Sequence, residues 1–167
     1  LSGIAFLLMK TGSVRYEDLA ALTPGGQDVR DRLVEIGIVL LLAGFSVKTG
    51  VVPFHSWLPD AHQSADTSVS VLLSGIVIKI AGVYGLLCVS RLFSAFSSIG
   101  PVLAATGTLS IIAGALLALR QSHFKRVVAY SSVSQMGYIL LGLSTGTTLG
   151  LVGALAHVFS HAVFKST

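Results

Sequence analysis

The chain has 167 residues, of which 53% are hydrophobic and 11% are charged, and its formal net charge is +4. A soluble globular domain carries roughly a quarter of charged residues, so this composition excludes an ordinary soluble domain and favours a membrane protein. The basic residues lie singly or at the ends of apolar runs, a distribution that excludes a nucleic-acid-binding patch. The single cysteine, Cys88, lies in an apolar run and cannot form an internal disulfide.

Apolar runs of the length that spans a bilayer, about 20 residues, follow one another along the chain. Residues 1–9 predict the end of a helix that starts outside this sequence, and residues 10–32 predict a polar loop. Five further runs predict helices, and they cover about residues 33–58, 69–90, 101–119, 127–143 and 147–165. Because hydrocarbon cannot hydrogen-bond the backbone and the runs do not alternate, they predict an all-α polytopic membrane protein rather than a barrel. We expect residues 1–167 to be a fragment of one transmembrane domain.

Short polar segments separate the runs, and we expect them to be loops: residues 59–68, 91–100 and 120–126. In the first of these, Asp60, His62 and Asp66 are expected to be solvated. His55 and Trp57 come just before it, where polar aromatic side chains anchor helices at the membrane surface.

Small residues recur in two of the predicted helices. The set comprises Ala104, Ala105, Gly107, Gly114, Ser131, Ser132, Ser134 and Gly137. Small side chains let helices approach closely in a membrane. The pattern therefore predicts a packed bundle rather than isolated anchors.

A proline interrupts the long apolar run at residues 33–58. Pro53 removes one backbone donor and clashes with the preceding turn, so we expect the helix to break near it. Inside a membrane such a break is tolerated where the freed groups face protein or water. Lys48 lies five residues before the proline, and a charged residue beside a broken helix is typical of transport sites. A simple proline kink, followed by a loop at Pro59, is the alternative.

Lys79 lies near the middle of the run at residues 69–90. At about 1.5 Å per residue, it falls close to the bilayer midplane, and its side chain is too short to reach the headgroups. A charge there costs at least about 3 kcal/mol. A lysine that exchanges a proton at the midplane is what a proton relay requires. The alternative is a lysine held in an ion pair inside the bundle.

Three titratable residues follow the spacing i, i+4, i+8 in the last run. His157, His161 and Lys165 therefore share one face of the predicted helix. Because an imidazole both donates and accepts a proton, the series predicts a path leading outward from the membrane centre. Hydrogen-bonded structural histidines are one alternative. A metal site is another, but the general-base glutamate of a zinc-hydrolase helix is absent between the two histidines.

Motifs for a redox site or a bound cofactor are missing from this sequence. We find no glycine-rich phosphate loop, no nucleophile elbow and no cysteine cluster. We therefore expect no cofactor and no metal, and no redox chemistry performed by this chain itself.

Four ordered motifs resemble the antiporter-like membrane subunits of respiratory complex I (NADH:quinone oxidoreductase), which are shared with Mrp-type cation/proton antiporters and membrane-bound hydrogenase complexes. They are residues 47–62 (VKTGVVPFHSWLPDAH), 74–84 (SGIVIKIAGVY), 124–138 (FKRVVAYSSVSQMGY) and 157–165 (HVFSHAVFK). The resemblance extends from about residue 33 to residue 165. In one departure, residues 64–67 read Ser-Ala-Asp-Thr, where many relatives have a proline before the Thr or Ser.

The resemblance implies a bundle of about fourteen helices built from two inverted repeats, with a broken helix near Pro53. It implies that Lys48 pairs with a glutamate on an earlier helix, outside this sequence. Lys79 would connect two half-channels. His157, His161 and Lys165 would continue the same hydrophilic axis.

The function that follows is proton translocation by a subunit of a redox-driven complex, with other membrane and peripheral subunits as partners and the bilayer as surroundings. Alternatives are a subunit of an Mrp-type sodium/proton antiporter and a subunit of a membrane-bound hydrogenase or formate hydrogenlyase complex. A metalloenzyme using His157 and His161 and a purely structural scaffold are more distant alternatives. We expect an integral, multi-pass protein of a bacterial or archaeal plasma membrane.

Overall fold

The structure is a computed structural model that describes residues 1–20, 32–92 and 99–166. These ranges are helical and contain no strand, which confirms the all-α prediction. In chain order the helices are α1 (Ser2–Thr11), α2 (Tyr16–Ala20), α3 (Arg32–Thr49), α4 (Trp57–Ser64), α5 (Thr67–Leu72), α6 (Tyr84–Leu92), α7 (Ile99–Leu119), α8 (Phe124–Ser144) and α9 (Thr148–Ser166). Two π-helical segments, π1 (Leu73–Val77) and π2 (Lys79–Val83), join α5 to α6.

Four helical stretches are long and apolar enough to cross a membrane: Thr67–Arg91, Ile99–Leu119, Phe124–Ser144 and Thr148–Lys165. The first runs continuously through α5, π1, π2 and α6, and we call it the Lys79 helix. α3 carries three charged residues in its 18 and is not among the four. Within the predicted loop of residues 10–32 the structure places α2, and residues 21–31 of that loop lie outside the described residues.

The predicted helix break near Pro53 is confirmed. α3 ends at Thr49, and Gly50 adopts a left-handed conformation with φ 68°. Such a conformation favours glycine and ends a helix because the chain turns away. Lys48 lies in the last turn of α3, just before the break.

Residues 59–68 were predicted to form a polar loop, and most of that segment is helical instead. α4 begins at Trp57, so Pro59 lies in its first turn, where proline removes no helical hydrogen bond. The alternative of a kink followed by a loop at Pro59 is therefore wrong. The chain reforms a helix after the break.

α4 is tied to the start of α8 by side chains of α8. Arg126 forms an ion pair with Asp60 at 3.1 Å and donates a hydrogen bond to Gln63 at 2.9 Å. The Nζ of Lys125 donates to the carbonyl of Ala65, just after the last turn of α4, at 2.8 Å. A cation at this end of a helix satisfies a free carbonyl and complements the helix dipole. We call these contacts the α4–α8 clamp.

α7 and α8 form a closely packed antiparallel pair, as the small residues predict. A Cβ added at Gly137 would lie 2.6 Å from the carbonyl oxygen of Gly107, and one at Gly114 would lie 2.6 Å from the backbone nitrogen of Ser134. The Oγ of Ser134 also donates to the carbonyl of Ile111 on α7 at 3.2 Å. α8 then packs against α9, and α9 against π1.

Candidate functional site

Lys79 lies at the middle of its helix and is buried, with 6% of its surface exposed. It opens π2, and its Nζ donates a short hydrogen bond to the carbonyl of Ser74 in π1. A π-helical turn shifts the backbone bonding pattern and is frequent at functional sites. Within the described ranges, Lys79 is bonded to a backbone carbonyl and not to a carboxylate.

His157 and His161 lie on the face of α9 that the spacing predicts. Their rings are stacked, with centroids 6.4 Å apart and an angle of 5° between the planes, and Tyr138 of α8 lies 5.9 Å from His157. His161 is 4% exposed. Both of its ring nitrogens, and Nε2 of His157, are buried without a hydrogen-bond partner among the described residues. The charge of Lys79 acts on both imidazoles, so the three groups form one electrostatic cluster.

Lys165 continues this cluster towards the clamped end of the bundle. Its Nζ donates to the carbonyl of Val128 and to Oγ of Ser131, each at 2.9 Å. Both acceptors belong to the first turns of α8, the helix that also holds α4. Lys165 is close enough for its charge to act on Lys79 and on His161. The structure therefore brings together four of the five predicted site residues: Lys79, His157, His161 and Lys165.

His62 was predicted to be solvated, and this prediction is wrong. It lies on α4 with 1% of its surface exposed, and its Nδ1 makes a short hydrogen bond to Oγ of Ser70. Its Nε2 has no partner among the described residues. Burial, and secondarily the positive charge of Lys165, lower the pKa of His62. The helical spacing of Leu58 and His62, which places both on one buried face, is the signal that points to this position.

Lys48 lies apart from this cluster, with an exposed side chain. It borders an open hollow of about 450 Å³ between the start of α1 and α3, and a second one of about 320 Å³ beside Trp57 and π1. Its backbone is nevertheless close to the Lys79 helix. A Cβ added at Gly82 in π2 would lie 2.9 Å from the nitrogen of Thr49 and 3.1 Å from the carbonyl carbon of Lys48.

His55 lies in the break between α3 and α4, half-buried, with its ring 6.2 Å from Tyr130 of α8. Its Nδ1 is buried without a partner among the described residues. The position beside Tyr130 differs from the predicted anchor at the membrane surface. Trp57, by contrast, is at the exposed edge, and its indole N–H donates to the carbonyl of Val47 at 2.8 Å.

A metal site at the two stacked histidines has no third ligand in the part of the chain that the structure describes. No group of three or more His, Cys, Asp or Glu side chains comes together in those ranges. The arrangement consists of amines, imidazoles and hydroxyls, which are groups that donate and accept protons.

Comparisons with known proteins all point to one family. Residues 1–167 match the family described as NADH:quinone oxidoreductase/Mrp antiporter, transmembrane. The chain is 35% identical over 168 residues to NADH-quinone oxidoreductase subunit N of Desulforudis audaxviator (strain MP104C), covering 99% of this chain and 33% of that protein. It is 45% identical over 128 residues to NAD(P)H-quinone oxidoreductase chain 4 1 of Synechococcus sp. (strain JA-2-3B'a(2-13)), covering 75% and 24%.

Solved structures show the same architecture. A chain of the Mrp complex from Dietzia sp. DQ12-45-1b superposes with a TM-score of 0.87 at 28% identity, covering 98% of this chain and 30% of that one. A chain of the membrane-bound sulfane sulfur reductase, an archaeal respiratory membrane complex, superposes with a TM-score of 0.88 at 36% identity, covering 98% and 34%. The chain thus spans about a third or less of these relatives. It is an integral, multi-pass membrane protein of the NADH:quinone oxidoreductase/Mrp antiporter transmembrane family.

Proposed function

We propose that this chain carries part of the proton path of a subunit that pumps protons in a redox-driven membrane complex. The observation that carries the proposal is the cluster of Lys79 and His161, both buried, with the half-buried His157 stacked on His161. Burying an amine and an imidazole is costly unless they change protonation or find polar partners. In a relay this cost is useful, because an unfavourable charged form gives up its proton readily to the next group.

The buried imidazole nitrogens support the same interpretation. Polar atoms buried without a protein partner are the groups that bind internal water, and imidazole passes protons to water at either nitrogen. His157 and His161 therefore suit a path in which water connects Lys79 to Lys165. From Lys165 the path would continue towards His62 and the α4–α8 clamp.

Lys48 would exchange its proton at the other side of Lys79. Its exposed side chain suits a partner supplied from outside the described residues, and the resemblance implies a glutamate there. Loss of that counter-charge would destabilise the charged form of Lys48 and drive a proton towards Lys79. The other membrane and peripheral subunits, with the redox centres, would supply the energy.

The test is proton pumping by the full-length protein in its native complex, reconstituted in vesicles, with Lys79→Ala and Lys79→Arg compared against wild type. Arginine keeps a positive charge but does not deprotonate in proteins. We expect both variants to assemble and to lose most of the pumping. Arg120→Ala, in the exposed loop between α7 and α8, is the control and should pump normally.

Two results would argue against the relay. Pumping by Lys79→Arg at the wild-type rate would show that a fixed charge is sufficient. Normal pumping by Lys79→Ala would show that the lysine has only a structural role, whatever the family of the chain.

A sodium/proton antiporter subunit is the second candidate, favoured by the close superposition on the Mrp complex chain. The two functions differ in their driving force. Redox-driven pumping requires an electron donor and proceeds without sodium, whereas antiport moves labelled sodium into proton-loaded vesicles without any donor. Sodium uptake that disappears in Lys79→Ala would favour the antiporter.

A further inference from the structure

One hydrogen bond joins the broken helix to α7. The amide of Val52, next to Pro53, donates to Oγ of Ser110 at 2.9 Å, although 58 residues separate the two in the sequence. Ser110 has 0% exposed surface, and its own hydroxyl donates to the carbonyl of Thr106, one turn earlier, at 2.6 Å. The hydroxyl proton is thus engaged within α7, and the oxygen faces the break.

This contact meets a need that the break creates. When α3 ends at Thr49, the amides that follow lose their helical acceptors, and an unpaired amide in a membrane is strongly unfavourable. The amides of Gly50 and Val51 are satisfied by the carbonyl of Ser46. The amide of Val52 is instead satisfied by a side chain on another helix. α7 carries no ionisable group, and Ser110 is fully buried on it. The bond to Val52 explains why a polar residue lies there.

The same contact also constrains the position of the end of α3 relative to α7. Lys48 lies four residues before Val52, and the backbone at Lys48 and Thr49 approaches Gly82 of π2 so closely that a Cβ there would lie 2.9–3.1 Å from it. The end of α3 is therefore bounded by the Lys79 helix on one side and bonded to Ser110 of α7 on the other. Without the bond to α7, the end of α3 loses one of its two constraints.

We propose that Ser110 is the positioning residue for Lys48, holding the break so that Lys48 stays at a set place beside the Lys79 helix. This inference rests on the proposed function, because the position of Lys48 matters only if it exchanges protons. Ser110 itself takes no part in proton transfer. Its role requires an oxygen acceptor at this position, not merely a side chain of that size.

The experiment uses the reconstituted complex with Ser110→Ala, Ser110→Cys and Ser110→Thr. Cysteine fills the space of serine but is a weak acceptor, whereas threonine keeps the hydroxyl. Amide exchange of the peptide covering residues 50–56 reports the bond, and protons pumped per electron report the position of Lys48. Ser90→Ala is the matched control, because the hydroxyl of Ser90 donates to the carbonyl of Leu87 in its own helix.

We expect exchange at the break to become about tenfold faster in the alanine and cysteine variants, as loss of a buried hydrogen bond implies. Pumping per electron should fall severalfold in both, while threonine restores both readouts and Ser90→Ala changes neither. Unchanged exchange would overturn the proposal. So would normal pumping despite faster exchange, or full pumping by Ser110→Cys. If Lys48→Ala pumped normally, the proposed role of Lys48 would fail, and the exchange readout would still show whether Ser110 holds the break.

Discussion

The buried polar side chains of the bundle differ in their hydrogen-bond partners. Lys165 bonds to a carbonyl and a hydroxyl of α8, whereas Lys79 bonds to a carbonyl of its own helix. The ring nitrogens of His161 have no hydrogen-bond partner among the residues that the structure describes. A histidine as buried as His161 would usually be paired. Unpaired imidazole nitrogens of this kind suit the proposed relay, in which a transferable proton needs partners that can change.

At the residue scale, His62 gives a prediction about pH. Its pKa is lowered, so the folded protein keeps the ring neutral while the unfolded chain takes up a proton below about pH 6.5. Stability is therefore lost as the pH falls below that value, by at most about 1.4 kcal/mol for each pH unit. We expect the melting temperature of the purified complex to fall between pH 7.5 and pH 5.5, and His62→Gln to reduce that fall.

His123→Gln is the control for this measurement, because His123 lies exposed in the loop before α8. It should leave the pH dependence of melting as in wild type. An unchanged pH dependence in His62→Gln would mean that other groups account for the acid sensitivity.

At the scale of the helices, the close approach of α3 to the Lys79 helix depends on Gly82. A methyl group there would meet backbone atoms of Thr49 and Lys48, which cannot rotate away as a side chain can. We expect Gly82→Ala to separate the two lysine-bearing helices, lowering pumping severalfold and stability by about 1–3 kcal/mol. Pumping and thermal melting of the complex measure the two effects.

Gly153→Ala is the matched glycine variant, since a Cβ at Gly153 on α9 meets nothing within 4 Å. It should behave as wild type. If Gly82→Ala also pumps and melts like wild type, the close approach is not needed for transfer.

Much of the helical arrangement could be predicted, because long apolar runs in a membrane have few alternatives to helices. The break was predicted from Pro53, but its start at Gly50 was not, since the turn depends on a left-handed glycine and not on the proline. α4 was missed because its Pro and Asp are typical of loops, and the cations that stabilise it lie about sixty residues later, on α8.

Part of the candidate site could also be predicted from the sequence, and part could not. Lys79, His157 and His161 are conspicuous because charge and imidazole are rare in apolar runs, and the structure places them together. Ser110 carries no such signal: serine is common in membrane helices, and its partner Val52 is distant in sequence. Contacts of this kind depend on tertiary packing and leave no local pattern.

At the scale of the whole molecule, the first turns of α8 connect the parts of the proposed path. They hold α4 through Lys125 and Arg126, and they bind Lys165 of α9 through Val128 and Ser131. His62 and Lys165 therefore keep their relative position because both of their helices are attached to α8. The clamped end is a single unit built from three helices.

The contacts of the α4–α8 clamp should not contribute equally. Asp60 is 71% exposed, so its ion pair with Arg126 is worth less than about 1 kcal/mol, and Asp60→Asn should change little. Lys125→Ala leaves the part-buried carbonyl of Ala65 without its partner and should cost about 1–3 kcal/mol. Amide exchange across residues 57–65 in the complex measures both, and equal effects would contradict this ranking.

The ammonium group of Lys79 is held by a carbonyl of the helix that carries it. If the hydrogen-bond partner lay on a neighbouring helix, the bond would depend on the spacing between the two helices. This partner instead moves together with the lysine, because both belong to one helix. Tilting or sliding of the bundle therefore leaves the bond as it is, and rotation about the side-chain torsions is enough to release it. Such rotations are far faster than the collective motions of helices. The proposed proton transfer at Lys79 would therefore require side-chain rotation and no movement of the surrounding helices.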